Sequence, residues 1–255
     1  MARSFNGSSD CLFRSSFSPA TAYPATIAFW FYPANNSVNQ AMINWAGDVP
    51  GNNNVGVGLD GTAAGDPIYL YLKSGGVGAA NATTSTGITL STWMHACGVL
   101  ASATDRRCYL NGGSVGSSTT NVSFPATPTT FTLAAYHNNS VASTFFAGRL
   151  CEVAVWSAAL DATEVNALAV GFSPLLVRPQ ALLDYWPLNV NPTAGPDIDL
   201  WRGNGLTLSG SPALADQAAV RRPRRRPLGL AVPITFNPAW ARGANVLVGP
   251  GVSPC

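Results

Sequence analysis

The sequence predicts an all-β fold, an antiparallel β-sandwich with one short helix and an extended C-terminal arm. Three observations carry that reading. Charged residues make up only 10% of the 255, while 25 glycines and 19 prolines punctuate the chain, a balance that suits short strands and tight turns rather than long surface helices. Apolar residues alternate with a period of two in one segment after another. Gly, Asn, Asp or Pro separates these segments at the spacing of a sandwich.

In chain order, residues 25–32 set Ile27, Phe29 and Phe31 on one face and Thr26, Ala28, Trp30 and Tyr32 on the other. Aromatics on both faces predict a strand covered on both sides. Further strands are expected over 39–46, 54–60, 67–73, 76–83, 93–100, 106–111, 129–136 and 144–156. One helix follows, with Asp161 as its cap, Glu164 three residues later, Val165, Leu168 and Ala169 on one face and Gly171 as a left-handed stop. Residues 180–212 carry the last strand-like runs, so the sandwich is expected to span 1–212 and the arm 213–255.

The arm differs from the body in charge and composition. It carries six arginines against one aspartate, whereas the body carries eight bases against eleven acids. Arg221, Arg222, Arg224, Arg225 and Arg226 are interrupted by proline, which predicts an extended polyproline-like segment. Beyond them, apolar residues that include Phe236 and Trp240 make a surface the arm cannot bury by itself. It is expected to lie on the sandwich or on another subunit, so Arg221, Arg222, Arg224, Arg225, Arg226, Phe236 and Trp240 are the candidate partner-binding residues. Trimers or other cyclic homo-oligomers would follow from arm exchange. Without interleaved aromatics or a folded basic face, the run speaks for an acidic protein surface rather than nucleic acid.

Cysteine spacing argues against a zinc site. Cys11, Cys97, Cys108, Cys151 and Cys255 form no CxxC pair and no Cys/His ligand pattern, and the first four sit in strand-like runs where a free thiol serves as a small buried hydrophobe. No stretch reaches the roughly 18 apolar residues of a membrane span, and the N-terminus lacks an apolar signal core. The expectation is a chain with no leader and no membrane insertion.

Several segments together resemble laminin-G-like and concanavalin A-like jelly rolls. They are Phe5-Asn6-Gly7-Ser8-Ser9-Asp10, with Cys11 where these domains carry an aromatic residue, the apolar strand Ala25 to Phe31, Trp93-Met94-His95, Tyr109-Leu110-Asn111-Gly112, Phe146 to Trp156 around Gly148, Glu152 and Val153, and Leu160 with Glu164 and Val165. The resemblance covers residues 4–171. Asp184-Tyr185-Trp186-Pro187-Leu188 and Gly205 to Gly210 are similar to strands that usually open such domains, which implies a circular permutation. The whole arrangement, with Ser173 to Pro179, resembles jelly-roll proteins of tailed-phage virions.

Candidate chemistry is sparse. Retaining glycoside hydrolysis needs two carboxyls about 5 Å apart, and the two glutamates of the chain, Glu152 and Glu164, stand one in a strand and one at a helix start, neither beside another acid. His95 lies in a strand and His137 in a turn, with no nucleophile elbow beside either. The reading is therefore non-enzymatic, with no catalytic residues. Calcium is the cofactor the resemblance implies, with Asp48, Asn52, Asn53, Asn54, Asp60 and Asp66 as oxygen donors, although turn-forming roles account for the same residues. For glycan binding the best candidates are Trp45 with Asn52, Asn53 and Asn54, core packing being the alternative for Trp45. Two functions are expected from the resemblance: a structural virion protein of a tailed phage, assembled with other virion proteins, and a lectin-like module that binds glycans, a host-surface glycan included.

Overall fold

The computed structural model describes residues 1–47, 53–78, 81–125, 128–138, 141–189 and 196–221, which belong to one compact unit, Met1–Pro223. The strands in chain order are β1 (Ala2–Asn6), β2 (Cys11–Ser15), β3 (Ala25–Pro33), β4 (Gln40–Gly47), β5 (Asn54–Leu59), β6 (Pro67–Ser74), β7 (Val77–Gly78), β8 (Ala82–Gly87), β9 (Met94–Ser102) and β10 (Asp105–Leu110). They continue with β11 (Ser114–Ser118), β12 (Pro128–Leu133), β13 (Tyr136–Asn138), β14 (Val141–Ser143), β15 (Ala147–Trp156), β16 (Leu182–Trp186), β17 (Asp197–Ile198), β18 (Gly205–Ser209) and β19 (Ala213–Ala215). The helix α1 spans Ala162–Ala169.

Two antiparallel sheets form the sandwich. The first has the order β11-β10-β9-β3-β15-β1-β19, with β16 also paired to β15; the second has the order β17-β18-β2-β12-β4-β5-β6-β7, with β8 also paired to β6. Between them lies the main core, where Ile27, Phe29 and Phe31 of β3 and Leu150, Val153 and Val155 of β15 meet Trp45, Val55, Val57, Leu70 and Phe131. The alternation expected for residues 25–32 holds: Ala28 packs under α1, in a cluster with Trp156, Val165 and Leu168, and Trp30 stacks edge-on against His95. Both faces of β3 are covered.

Local chemistry explains the elements. Asp161 accepts from the Glu164 amide and the Glu164 carboxylate accepts from the Asp161 amide, a complete capping box, which holds a helix too short to stand alone. Three expected strands are altered. The run 76–83 is divided between β7 and β8. The run 129–136 stops at Leu133, because Ala134 adopts a left-handed backbone (φ 64°), and the run 144–156 begins only at Ala147, after Thr144 does the same (φ 52°); such residues break extended pairing. The expected runs left out β1, β2, β14 and β11, and β13 but for Tyr136. Of these, β11, Ser-Val-Gly-Ser-Ser, has little strand propensity of its own and is extended by pairing with β10.

Residues 182–215 close both sheets. β16 lies along the second half of β15, β18 pairs with β2, and β19 pairs with β1. Residues 213–221, expected as the start of the arm, lie on the sandwich: beyond β19, Ala218 is buried and Arg221 bridges Phe172. The reason is apolar, since Ala218 and the partly buried Val220 cover Ala2, Cys151 and Trp30 on the outer side of the first sheet. Cys11, Cys97, Cys108 and Cys151 are buried and form no disulfide.

Candidate functional site

On the outer face of the second sheet, β4, β5 and β6 build a groove of about 430 Å³ lined by Asn39, Ala41, Asn54, Tyr69, Tyr71, Tyr136 and Thr144. The period of two decides who lines it. Ile68, Leu70 and Leu72 of β6 enter the core, so Tyr69 and Tyr71 must face out. Opposite them in register stand Gly58 and Gly56 of β5. These positions need glycine for close approach: a Cβ at Gly58 would come within 2.8 Å of the Tyr69 ring, and one at Gly56 would collide with Tyr71 and with the Ile43 carbonyl. The rings thus lie over bare backbone, as aromatic residues do across strand glycines. The β13–β14 hairpin supplies Tyr136 and is followed by Thr144, whose carbonyl accepts from the Ala41 amide at 2.9 Å.

Two amides orient the phenols. Asn44 Nδ2 donates to the Tyr71 hydroxyl at 2.8 Å, and Asn54 Nδ2 donates to the Tyr136 hydroxyl at 2.9 Å. Each phenolic oxygen accepts there and keeps its proton for a further acceptor. Burial raises all three tyrosine hydroxyls, Tyr71 well above the usual range, and the Asp60 charge adds to the rise at Tyr69. The groove therefore offers neutral rings 5.8 Å apart at Tyr69 and Tyr71, with O–H donors and amides at their rims.

The residues proposed from sequence are only partly here. Trp45 is corrected: it is 0% exposed, packed against Phe131 in the core, and offers no face to a ligand. Its position in β4 has the parity of Ile43, which points inward. Asn54 does line the groove, whereas Asn53 accepts from the Gly75 amide and closes a turn. Asn52, Arg222, Arg224, Arg225, Arg226, Phe236 and Trp240 lie outside the described residues. Arg221 is exposed, its amide bonded to Gly171 and its guanidinium over the Phe172 ring.

The remaining polar candidates are engaged locally. Asp60 accepts from Thr62 and Ala63, and Asp66 accepts from Asn36. Among the described residues no three His, Cys, Asp or Glu side chains gather as metal ligands; Asp48, like Asn52, lies outside the described residues. Glu164 caps α1 and pairs with Arg178 at 2.6 Å. Glu152 is 2% exposed and accepts from the Tyr185 hydroxyl, and burial lowers His95 to about 3, so it is neutral.

The sequence did contain a signal for the tyrosines. Asn-Val-Gly-Val-Gly-Leu in β5 and Ile-Tyr-Leu-Tyr-Leu in β6 alternate in step, glycine in one strand against tyrosine in the next. Reading it requires knowing that the two strands pair in that register.

Solved structures with this architecture are distant in sequence. A protein from Bacteroides ovatus described as carbohydrate-binding aligns with a TM-score of 0.60 at 14% identity, over 84% of this chain and 61% of its own. The chain thus spans about three fifths of that structure. The CBM40 of a Ruminococcus gnavus IT-sialidase aligns at 0.55 and 13% identity, over 66% and 96% of the two chains. Domain 4 of AbnA, a GH43 extracellular arabinanase from Geobacillus stearothermophilus, solved with arabinotriose, aligns at 0.54 and 20%, over 66% and 76%. At such identities the likeness is one of fold. No curated protein matches the chain in sequence. Residues 6–166 match a family model of laminin-G type, and the two-sheet jelly roll built around those residues agrees with it: the chain belongs to the concanavalin A-like lectin/glucanases superfamily.

Proposed function

We propose that the protein is a non-enzymatic carbohydrate-binding module whose ligand lies in the tyrosine groove. One observation carries this reading: Tyr69 and Tyr71 lie over Gly58 and Gly56 with Asn44 and Asn54 fixing phenol hydroxyls beside them. Rings packed over strand glycines and tilted 49° to one another give a sugar's C–H face an apolar contact, and the hydroxyls and amides reach its oxygens. The sugar-binding descriptions of the fold neighbours favour this reading over the virion role that the phage resemblance implied. Assembly through the arm is a separate proposal, resting on the composition of residues 222–255.

The test is a panel of neutral oligosaccharides screened against the full chain, followed by calorimetry on the best ligand. Tyr69→Ala and Tyr71→Ala are expected to weaken binding at least tenfold each while the circular dichroism spectrum is kept. Equal affinity in both variants would overturn the groove as the site.

A further inference from the structure

A second pocket, about 370 Å³, lies where the β2–β3 connection, the residue after β15, β16 and the β17–β18 turn meet, lined among others by Pro19, Thr21, Tyr23, Ser157, Leu183 and Arg202. It shares no residue with the tyrosine groove. We propose that it binds a carboxylate-bearing saccharide, with the Arg202 guanidinium as the anion contact.

The first observation is the state of Arg202. Its guanidinium is exposed and makes no ion pair or hydrogen bond among the described residues, unlike Arg3, Arg107 and Arg178, which each hold a carboxylate. Of the acids near it, Asp199 spends both oxygens on the amides of Tyr185, Trp201 and Arg202, and Asp184 is buried with one oxygen held by Asn204. The Arg202 charge reaches Asp184, but neither acid forms an ion pair with the guanidinium. A planar fork with no hydrogen-bonded carboxylate, on a residue that lines a pocket, matches a carboxylate in shape and charge.

The second is that the pocket is held rather than loose. Asp199 closes the turn through those three amides, and the Gly203 amide returns to the Asp199 carbonyl at 3.1 Å. This presents Arg202 beside Trp201, which is 46% exposed. On the other side, the Tyr23 hydroxyl donates to the Val122 carbonyl at 2.7 Å and its ring stacks edge-on with Phe124, while Ser18 bonds to the Ala20 carbonyl. The walls are mixed: Pro19, Ala20, Pro24 and Leu183 are apolar, Thr21 and Ser157 carry hydroxyls. Such a lining suits a ring with one apolar side and one charged substituent, and places it apart from the uncharged groove.

The experiment is calorimetry on the full chain at low salt with trigalacturonate, a glucuronate disaccharide and a sialyl trisaccharide, each against its carboxyl methyl ester. At least one acid is expected to bind at least tenfold tighter than its ester and to weaken as salt rises. Arg202→Ala should remove that preference, Arg202→Lys should restore part of it, and Tyr71→Ala should leave it intact. Absence of binding by all three acids at millimolar concentration, equal binding of acid and ester, or undiminished binding by Arg202→Ala would overturn the proposal. Because neutral sugars report on Tyr69 and Tyr71, and acids on Arg202, failure at one site is distinguishable from failure at the other.

Discussion

Arg3 and Asp197 form a buried ion pair, 2.7 Å between Nε and Oδ2, with side chains 0% and 1% exposed. They lie 194 residues apart, and the pair ties the first strand of the chain to the segment that closes both sheets. Arg3 also donates to the Pro212 carbonyl, and Asp10 accepts from the Ser211 amide at 2.8 Å. β1 is thereby held beside β19 in one sheet and β2 beside β18 in the other.

Removing one partner leaves a buried charge without its counterion. Asp197→Ala is expected to destabilise the fold by about 3–5 kcal/mol. The double variant Arg3→Met, Asp197→Leu should recover much of that loss. Urea titrations of the three proteins check both statements; a loss under 1 kcal/mol in Asp197→Ala would contradict the clamp.

Asp184 makes stability depend on pH in the opposite sense to most carboxylates. Burial pushes it up to about 6, against the hydrogen bond from Asn204. A raised folded-state value means that the proton favours the fold: this contribution is absent above about pH 6, grows as pH falls, and is complete below the unfolded value of about 4. Asp184→Asn should therefore stabilise the protein at pH 7.5 by about 1–3 kcal/mol and change little at pH 4. Denaturant midpoints at the two pH values give the answer.

His95 acts with the other sign. Held neutral against Trp30 with burial lowering it to about 3, it supports the fold fully above the unfolded value of about 6.5 and progressively less as pH falls toward 3, by about 1.4 kcal/mol per pH unit. His95→Leu should flatten that limb of the stability curve. The two effects overlap between pH 4 and 6, so each variant is measured in the background of the other.

Gly58→Ala is the sharper probe of the tyrosine groove. Its new Cβ meets chiefly the Tyr69 ring, with the nearest backbone atom, the Gln40 carbonyl oxygen, at 3.1 Å. The ring is expected to move and sugar affinity to fall several-fold while the fold remains. Because the groove's three hydroxyls are all raised by burial, affinity in the parent chain should be flat from pH 6 to 9.

Shortening the chain to Pro223 and to Ser211 is expected to have different effects. A version ending at Ser211 loses β19 and the burial of Ala218 over Ala2 and Cys151 and should melt several degrees lower, whereas one ending at Pro223 should match the full chain. Light scattering on the full chain and the Pro223 version tests arm-mediated assembly: a larger mass in the full chain supports it, and equal monomers count against it.

The sequence by itself determined the strands with strict alternation, the capped helix, the buried cysteines and the superfamily, because these depend on local periodicity and on short motifs that keep their spacing. It offered Trp45 with Asn52, Asn53 and Asn54 as a binding surface and core packing of Trp45 as the alternative. Parity within β4 sends that indole inward, and which parity faces the core is decided only when the two sheets close. The tyrosine groove has the same origin: Tyr69 and Tyr71 become a platform because β5 pairs with β6 so that glycines fall beneath them. Arg3 with Asp197, and Arg202 with the loop at Ser18, are brought together across most of the chain's length. Local sequence carries no trace of such contacts, since they exist only when residues 182–221 fold back onto both sheets.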